Sequence, residues 1–341
     1  MGTPKLTLVP APADLLTAGD ETDSHQFLGL RAVIASSCMR RLLQFVQRIA
    51  ACNAAVLVTG ESGSGKELIA RALHEFSPRR SQPWVDINCA ALPDHLLESE
   101  LFGFERGAFS GADSQKPGMF ELAHQGTLFL DEIGELNLKS QSKLLRVLDG
   151  WPYYRLGGTR KMSVDVRIVA ATNTDLEEAV RQGRFRADLF HRLNQVRVEV
   201  PPLRERPDDI APLAALFLEE QNPQLRLSED AQECLESYSW PGNVRELRSL
   251  MVRLAITANV AEIRREDLPS TMQGQIKEAE TGFSLHRAEQ EMICQALEQA
   301  EGRRKRAAEL LGISRRTLIR RLKVYGINGS RPVASSGTHM N

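Results

Sequence analysis

The chain has 341 residues, with 43 basic against 44 acidic side chains and a formal net charge of −1. Charged residues make up 26% and hydrophobic residues 42%, which suits folded domains and excludes a wholly disordered or collagen-like polymer. No apolar run approaches the roughly 18 residues of a membrane helix. The first 20 residues, with one lysine and three prolines, do not form a secretory signal, so a cytoplasmic, membrane-free protein is expected. Cys38, Cys52, Cys89, Cys234 and Cys294 are scattered and include no Cys-x-x-Cys. They read as reduced thiols in or near cores rather than disulfides or a zinc cage.

Residues 1–26, with Pro4, Pro10 and Pro12, read as a short disordered segment. They are too few for a sensory fold, which below about 40 residues usually needs a metal or disulfides. From 27 to 200, apolar runs at 55–59, 84–88, 127–131, 165–172 and 196–200 read as strands. Helical patterns at 66–74, 92–101 and 140–148 lie between them. This alternation predicts an α/β domain, a parallel sheet with helices on both faces. Pro201-Pro202 and Pro207 break the pattern. Residues 201–269 are expected to form a second, all-helical part, with a stop at Pro241-Gly242. Residues 270–283 read as a polar linker, 284–327 as a small all-α unit and 328–341 as a disordered tail.

Gly60-Glu61-Ser62-Gly63-Ser64-Gly65-Lys66 has the P-loop spacing Gly-x-x-x-x-Gly-Lys, between a strand and an amphipathic helix. Glycines let backbone amides turn inward around a phosphate, the helix adds its positive end, and Lys66 reaches the outer phosphates. At this composition the pattern arises by chance about 0.04 times per chain. Glu67 stands where a Ser or Thr usually holds Mg²⁺, which leaves two readings of the residues alone: a metal held differently, or impaired hydrolysis. Downstream, residues 126–132 (GTLFLDE) form an apolar strand ending in two acids. A buried strand tip is a costly place for two carboxylates unless a metal or water uses them. Asp131 suits Mg²⁺, and Glu132 suits polarising an attacking water.

Near the other end, nine basic residues and one acid between Arg303 and Lys323 give a local charge of +8, a surplus that points to nucleic acid. Residues 306–322 read as helix-turn-helix. Ala307-Ala308 allow a close helix crossing, Gly312 suits the turn, and Ser314 can cap the second helix. Leu318 and Leu322 share one face, which leaves Arg315, Arg316, Thr317, Arg320 and Arg321 to enter a major groove.

Over about 27–327 the chain resembles the AAA+ activators of sigma-54 RNA polymerase, the NtrC-type bacterial enhancer-binding proteins. GESGSGKE (60–67) is similar to the family's P-loop, in which Glu follows Lys as a rule, so the resemblance accommodates Glu67. The most specific match is Gly107-Ala108-Phe109-Ser110-Gly111-Ala112, which resembles the family's GAFTGA loop with Ser110 for Thr. That loop contacts sigma-54 in the family. The resemblance further implies that Asn88 restrains the catalytic Glu132 and that Asn173 lies near the γ-phosphate as sensor I. It implies that Arg186 and Arg192 reach a neighbouring subunit's nucleotide, and that Arg245, in WPGNVREL (240–247), lies over the phosphates as sensor II. Residues 149–164 resemble a second inserted loop that moves with the first. The C-terminal unit is similar to the Fis-type module.

By resemblance, the expected cofactors are ATP and Mg²⁺. The expected partners are sigma-54 RNA polymerase, upstream double-stranded DNA, other copies of the chain in a ring, usually hexameric, with dimeric DNA-binding modules, and a regulatory protein acting in trans. The implied function is an ATP-hydrolysing activator that remodels the closed polymerase complex. The alternative is a DNA-binding AAA+ regulator or repressor that fails to activate sigma-54 because of Ser110. A helicase or initiator loader would leave GAFSGA and the Fis-like end unexplained.

Overall fold

The computed structural model describes residues 23–258 and 261–273, and then positions 293, 296–297, 300, 304–311, 313, 317–318 and 322. Residues 1–22, most of the 270–283 linker, Cys294, Gly312, Ser314 and the 328–341 tail lie outside them. The chain divides into two compact units, 1–274 and 275–341.

Strands β1 (Asp23–Phe27) and β2 (Leu30–Ile34) form an antiparallel hairpin. It begins four residues before the expected boundary at 27, because β1 pairs along its whole length with β2 and Phe27 packs edge-on against Phe76 at 5.4 Å. Helix α1 (Ser37–Ala50) is capped by the Ser36 hydroxyl and buries Met39, Leu43, Val46 and Ala50, the three-to-four spacing of one helix face.

Strand β3 (Val56–Thr59) runs into the P-loop and helix α2 (Lys66–Glu75). Next come β4 (Trp84–Asn88), α3 (Asp94–Phe102), α4 (Met119–Leu122), β5 (Thr127–Asp131) and α5 (Leu138–Leu148). The short hairpin β6 (Tyr153–Tyr154) and β7 (Lys161–Met162) precedes β8 (Arg167–Thr172). Helices α6 (Leu176–Arg181) and α7 (Ala187–Leu193) lead to β9 (Val196–Glu199). Five strands form one parallel sheet in the order β4-β5-β8-β3-β9. Two of the five expected strands match to the residue, and the others are one or two residues shorter at one end.

Period-two alternation divides the strand side chains between two cores. Val56, Val58, Phe129, Val169 and Ala171 face α1 and α2. Leu57, Leu128, Leu130, Ile168 and Ala170 face α3, α5, α6 and α7. Burial on both sides explains the continuous apolar runs. The chain leaves β3 for the far edge, returns through β5 and β8, and then adds β9 on the other side. The tip of β3 is therefore the point where strand order reverses, the usual place for a ligand crevice in such sheets.

The second part, 201–269, lies over the P-loop as a lid and consists of α8 (Ile210–Gln221), α9 (Glu229–Ser237) and α10 (Asn243–Thr257) around Phe217, Leu235, Trp240 and Met251. It is not all-helical as expected: Arg226–Leu227 and Glu262–Ile263 form a short parallel strand pair. Backbone bonds from Arg226 N to Ala261 O (2.9 Å) and from Ser228 N to Ile263 O (3.0 Å) satisfy groups that no helix covers there. In the second unit, Arg304–Leu310 is helical, and Ala307, Ala308, Leu318 and Leu322 are buried together with Ile293, Ala296 and Ala300. Among the described residues no helix is long and apolar enough to cross a membrane. Cys89 and Cys234 are buried, Cys38 is half-buried and Cys52 exposed, all as free thiols.

Candidate functional site

The P-loop wraps the tip of β3, and a cleft beside it is lined by Gly63, Ser64, Gly65, Lys66, Glu67, Asp131, Glu132 and Arg245. Ile34, Met39, Leu213 and Phe217 supply an apolar end. Gly63 is needed for close approach: its φ is +75°, and a Cβ there would lie 2.5 Å from Gly242 O. The Lys66 ammonium is almost wholly buried. It donates to Gly60 O (3.0 Å) and Glu61 O (3.3 Å) and lies 3.6 Å from Glu132 Oε1.

Asp131 ends β5, and Glu132 follows it. Glu132 sits at φ 50°, a left-handed conformation that is costly for a residue with a Cβ. Its other oxygen, Oε2, accepts from the Asn173 backbone N–H at 3.2 Å. Burial first, and then the neighbouring Glu132, push the Asp131 carboxyl above its ordinary range, while Lys66 pulls it back. The expected Asn88–Glu132 contact is absent from the hydrogen bonds at this tip. Asn88 Nδ2 donates instead to Asp131 Oδ2 at 3.0 Å. The cause is register: β4 and β5 pair in parallel with Asn88 opposite Asp131, and directly paired residues put their side chains side by side.

The lid closes on the loop through α10. Arg245 Nη1 donates to Ser62 Oγ (2.8 Å), and Val244 N donates to Gly63 O (3.0 Å). Glu61 receives both Arg204 amino groups (2.9 and 2.6 Å) and Asn243 Nδ2 (3.0 Å). Those bonds from Arg204 and then Asn243 hold its carboxyl down to about 2. Glu67 is engaged by Arg71 at 2.7 and 2.9 Å. Asn243, Arg204, Arg206 and Asp209 escaped the reading of the sequence. For Arg204, Arg206 and Asp209 the only local signal was the charge of residues 204–209, and Asn243 stands inside WPGNVREL, where the resemblance gives a role to Arg245 alone.

Arg186 and Arg192 do not line this cleft. Arg186 is exposed and pairs with Asp188 at 2.7 Å, and Arg192 bonds Leu148 O and Asp149. Arg192 borders another hollow, with Ala55, Leu148 and Ile168.

The GAFSGA residues cap an excursion between α3 and α4, where Phe104 pairs with Lys116. Phe109 is 45% exposed and stands 5.0 Å from the Phe104 ring. Residues 149–164 lie against this excursion. Leu156 bridges to Phe104, and a Cβ on Gly157 would lie 2.8 Å from Ala108 Cβ. Arg155 pins the two loops to the body, with bonds to Glu121 (2.8 and 2.6 Å) and Glu105 (3.1 Å). In the C-terminal unit Thr317 is half-buried, whereas Arg315, Arg316, Arg320 and Arg321 lie outside the described residues.

The sequence matches the Sigma-54 interaction domain over 32–199, the AAA+ ATPase lid domain over 204–284 and the Fis family of bacterial regulatory proteins over 284–325. It is 46% identical over 309 residues to the regulatory protein AtoC of Escherichia coli (strain K12), covering 86% of this chain and 67% of that protein. It is 45% identical over 325 residues to the Nif-specific regulatory protein of Klebsiella oxytoca, covering 91% and 62%. The chain thus spans about two thirds or less of these curated relatives. Among solved structures, NtrX from Brucella abortus in complex with ATP matches with a TM-score of 0.67 at 36% identity, covering 88% of this chain and 70% of that one.

Proposed function

The chain belongs to the sigma-54 interaction domain family of AAA+ P-loop regulators with a Fis-type end, and from that premise we propose that it is an ATP-hydrolysing transcriptional activator. Its Fis-like module binds upstream DNA, and its AAA+ body remodels the closed complex of sigma-54 RNA polymerase until the promoter opens. The observation that carries this reading is that one compact unit holds the Lys66–Glu132 pair at the tip of β5 and, through α4 and Arg155, the exposed Phe109 loop.

The cleft suits ATP. Residues Gly60 to Glu67 cradle the phosphates, Lys66 neutralises the outer ones, and Arg245 approaches from the lid. The apolar end takes the base. Glu132 orients the attacking water, and the Asn173 backbone N–H holds that carboxylate in place. Asn88 acts on this pair indirectly, through Asp131.

Asp131 is the residue to hold magnesium. No cluster of three or more His, Cys, Asp or Glu among the described residues would cage a metal. That suits magnesium, which is usually held by one or two carboxylates together with phosphates and water. A magnesium ion held by Asp131 would supply neutralisation of charge on the outer phosphates.

Arg186 and Arg192, remote from their own cleft, serve a neighbouring copy in a ring, as arginines supplied in trans stabilise the charge of phosphoryl transfer. Phe109 and Ser110 are the residues presented to sigma-54. Arg315, Arg316, Thr317, Arg320 and Arg321 are the residues for the major groove.

The test mixes the full chain with sigma-54 polymerase and a supercoiled sigma-54 promoter, with ATP or a non-hydrolysable analogue. Open complexes with ATP only are expected. Hydrolysis without opening would refute the activator reading and favour a repressor.

A further inference from the structure

The phosphate loop is held by two buried charges that have no part in the chemistry above, and one of them, Arg206, also borders the cleft. Arg206 opens the lid and is 4% exposed, and Asp209 is 1% exposed. Arg206 Nη2 donates to the backbone oxygen of Ser64, inside the P-loop, while Nη1 lies 3.7 Å from Asp209 Oδ2. Asp209 accepts three further bonds, from Ala35 N (2.7 Å), Ser36 N (2.7 Å) and Ser36 Oγ (2.8 Å). Ser36 is the cap of α1. One buried path therefore joins the β2–α1 junction, the start of the lid and the P-loop.

Two buried charges at 3.7 Å are a poor source of net stability, because desolvation consumes most of their attraction. Their geometry does something more specific. A trans peptide is planar, with C=O and N–H pointing in opposite directions. Drawing Ser64 O to Arg206 turns the Gly65 N–H the other way, away from that guanidinium. Gly65 sits at φ +103°, a region that glycine enters and leaves at little steric cost. Glycine therefore makes the required turn possible without holding it.

We propose that Arg206, oriented by Asp209, is a positioning residue for the phosphate site: it locks the Ser64–Gly65 peptide so that the Gly65 amide is aimed at the nucleotide's phosphates. This inference rests on the nucleotide reading and deepens it. It also ties the aim of that amide to the β2–α1 junction, so displacement of either end of the path loosens phosphate binding.

The experiment titrates ATP into the full-length parent and into Arg206→Lys, Asp209→Asn, their double variant and Lys66→Ala, and follows turnover and melting in parallel. Lysine keeps the charge but lacks the planar fork that reaches Ser64 O and Asp209 together. Arg206→Lys is expected to raise the Kd for ATP about tenfold, as for the loss of one charge-assisted hydrogen bond. Its kcat at saturating ATP should stay within about threefold of the parent, the signature of weakened binding with intact chemistry. Asp209→Asn should shift Kd in the same direction by less. The double variant should lose no more than Arg206→Lys alone, because both act through one peptide.

A mere brace of the fold would lower the melting temperature without nucleotide and leave Kd unchanged. An unchanged Kd in both single variants, with the parent binding and Lys66→Ala not, overturns the positioning role alone. A parent that binds no ATP overturns the nucleotide reading, and the positioning role with it.

Discussion

Asn243 offers the sharpest test of how the lid is joined to the P-loop. Its side chain is completely buried, with Oδ1 accepting from Leu203 N at 2.7 Å and Nδ2 donating to Glu61 Oε2 (3.0 Å) and Ser62 O (3.1 Å). Its backbone is left-handed, at φ 52°. In Asn243→Ala the Leu203 N–H loses its acceptor in a buried setting, at a cost of ~1–3 kcal/mol. Ser62 is exposed, so water replaces the bond to its carbonyl, and Glu61 keeps Arg204. Alanine at that backbone angle costs ~1 kcal/mol more. The total is ~3 kcal/mol, which at roughly 2–4 °C per kcal/mol for a unit of this size lowers Tm by ~6–12 °C. Asn243→Gly loses the same bonds but escapes the left-handed penalty, so it should be the more stable of the two by ~1 kcal/mol. Thermal unfolding of the three proteins side by side checks both numbers. An Ala variant that melts with the parent, or a Gly variant that melts below Ala, would refute the reasoning.

Lys66→Ala should abolish ATP turnover, and persistent turnover would remove the phosphate assignment. Arg192→Ala should keep nucleotide binding yet stop hydrolysis, while parent turnover per chain rises with protein concentration across the assembly range. A constant specific rate would exclude a site shared between copies. Arg155→Met should lower stability by ~2 kcal/mol at pH 7 by stranding a mostly buried Glu121, and it should also uncouple hydrolysis from promoter opening. Burial alone raises the Glu121 carboxyl, but the bonds from Arg155 and the Gly118 amide more than reverse this and hold it below 4.5. The pair's stabilisation is thus present above that value and lost as pH falls through the lowered one. The gap between parent and variant, followed by melting from pH 7 to 3, should narrow with acid, and a widening gap would contradict the pairing.

What could be read directly from the chain was whatever neighbours in sequence decide among themselves. Gly60 to Lys66 is a contiguous backbone device. The strand at 127–131 shows itself because both of its faces are buried and Leu128, Phe129 and Leu130 run unbroken. Ala307, Ala308, Leu318 and Leu322 reveal a small helical core by spacing alone. The hairpin at 23–34 is not among the expected strands, and its start before the expected boundary at 27 goes with a ring contact to Phe76, more than forty residues on. Only the tertiary structure put the Asn88 side chain on Asp131, since parallel register is a property of two strands and not of either one. It also brought Asn243, Arg204 and Arg206 to the P-loop from more than 140 residues away. Side chains that meet only after the lid folds carry no common periodicity or spacing, so chain order alone could not pair them.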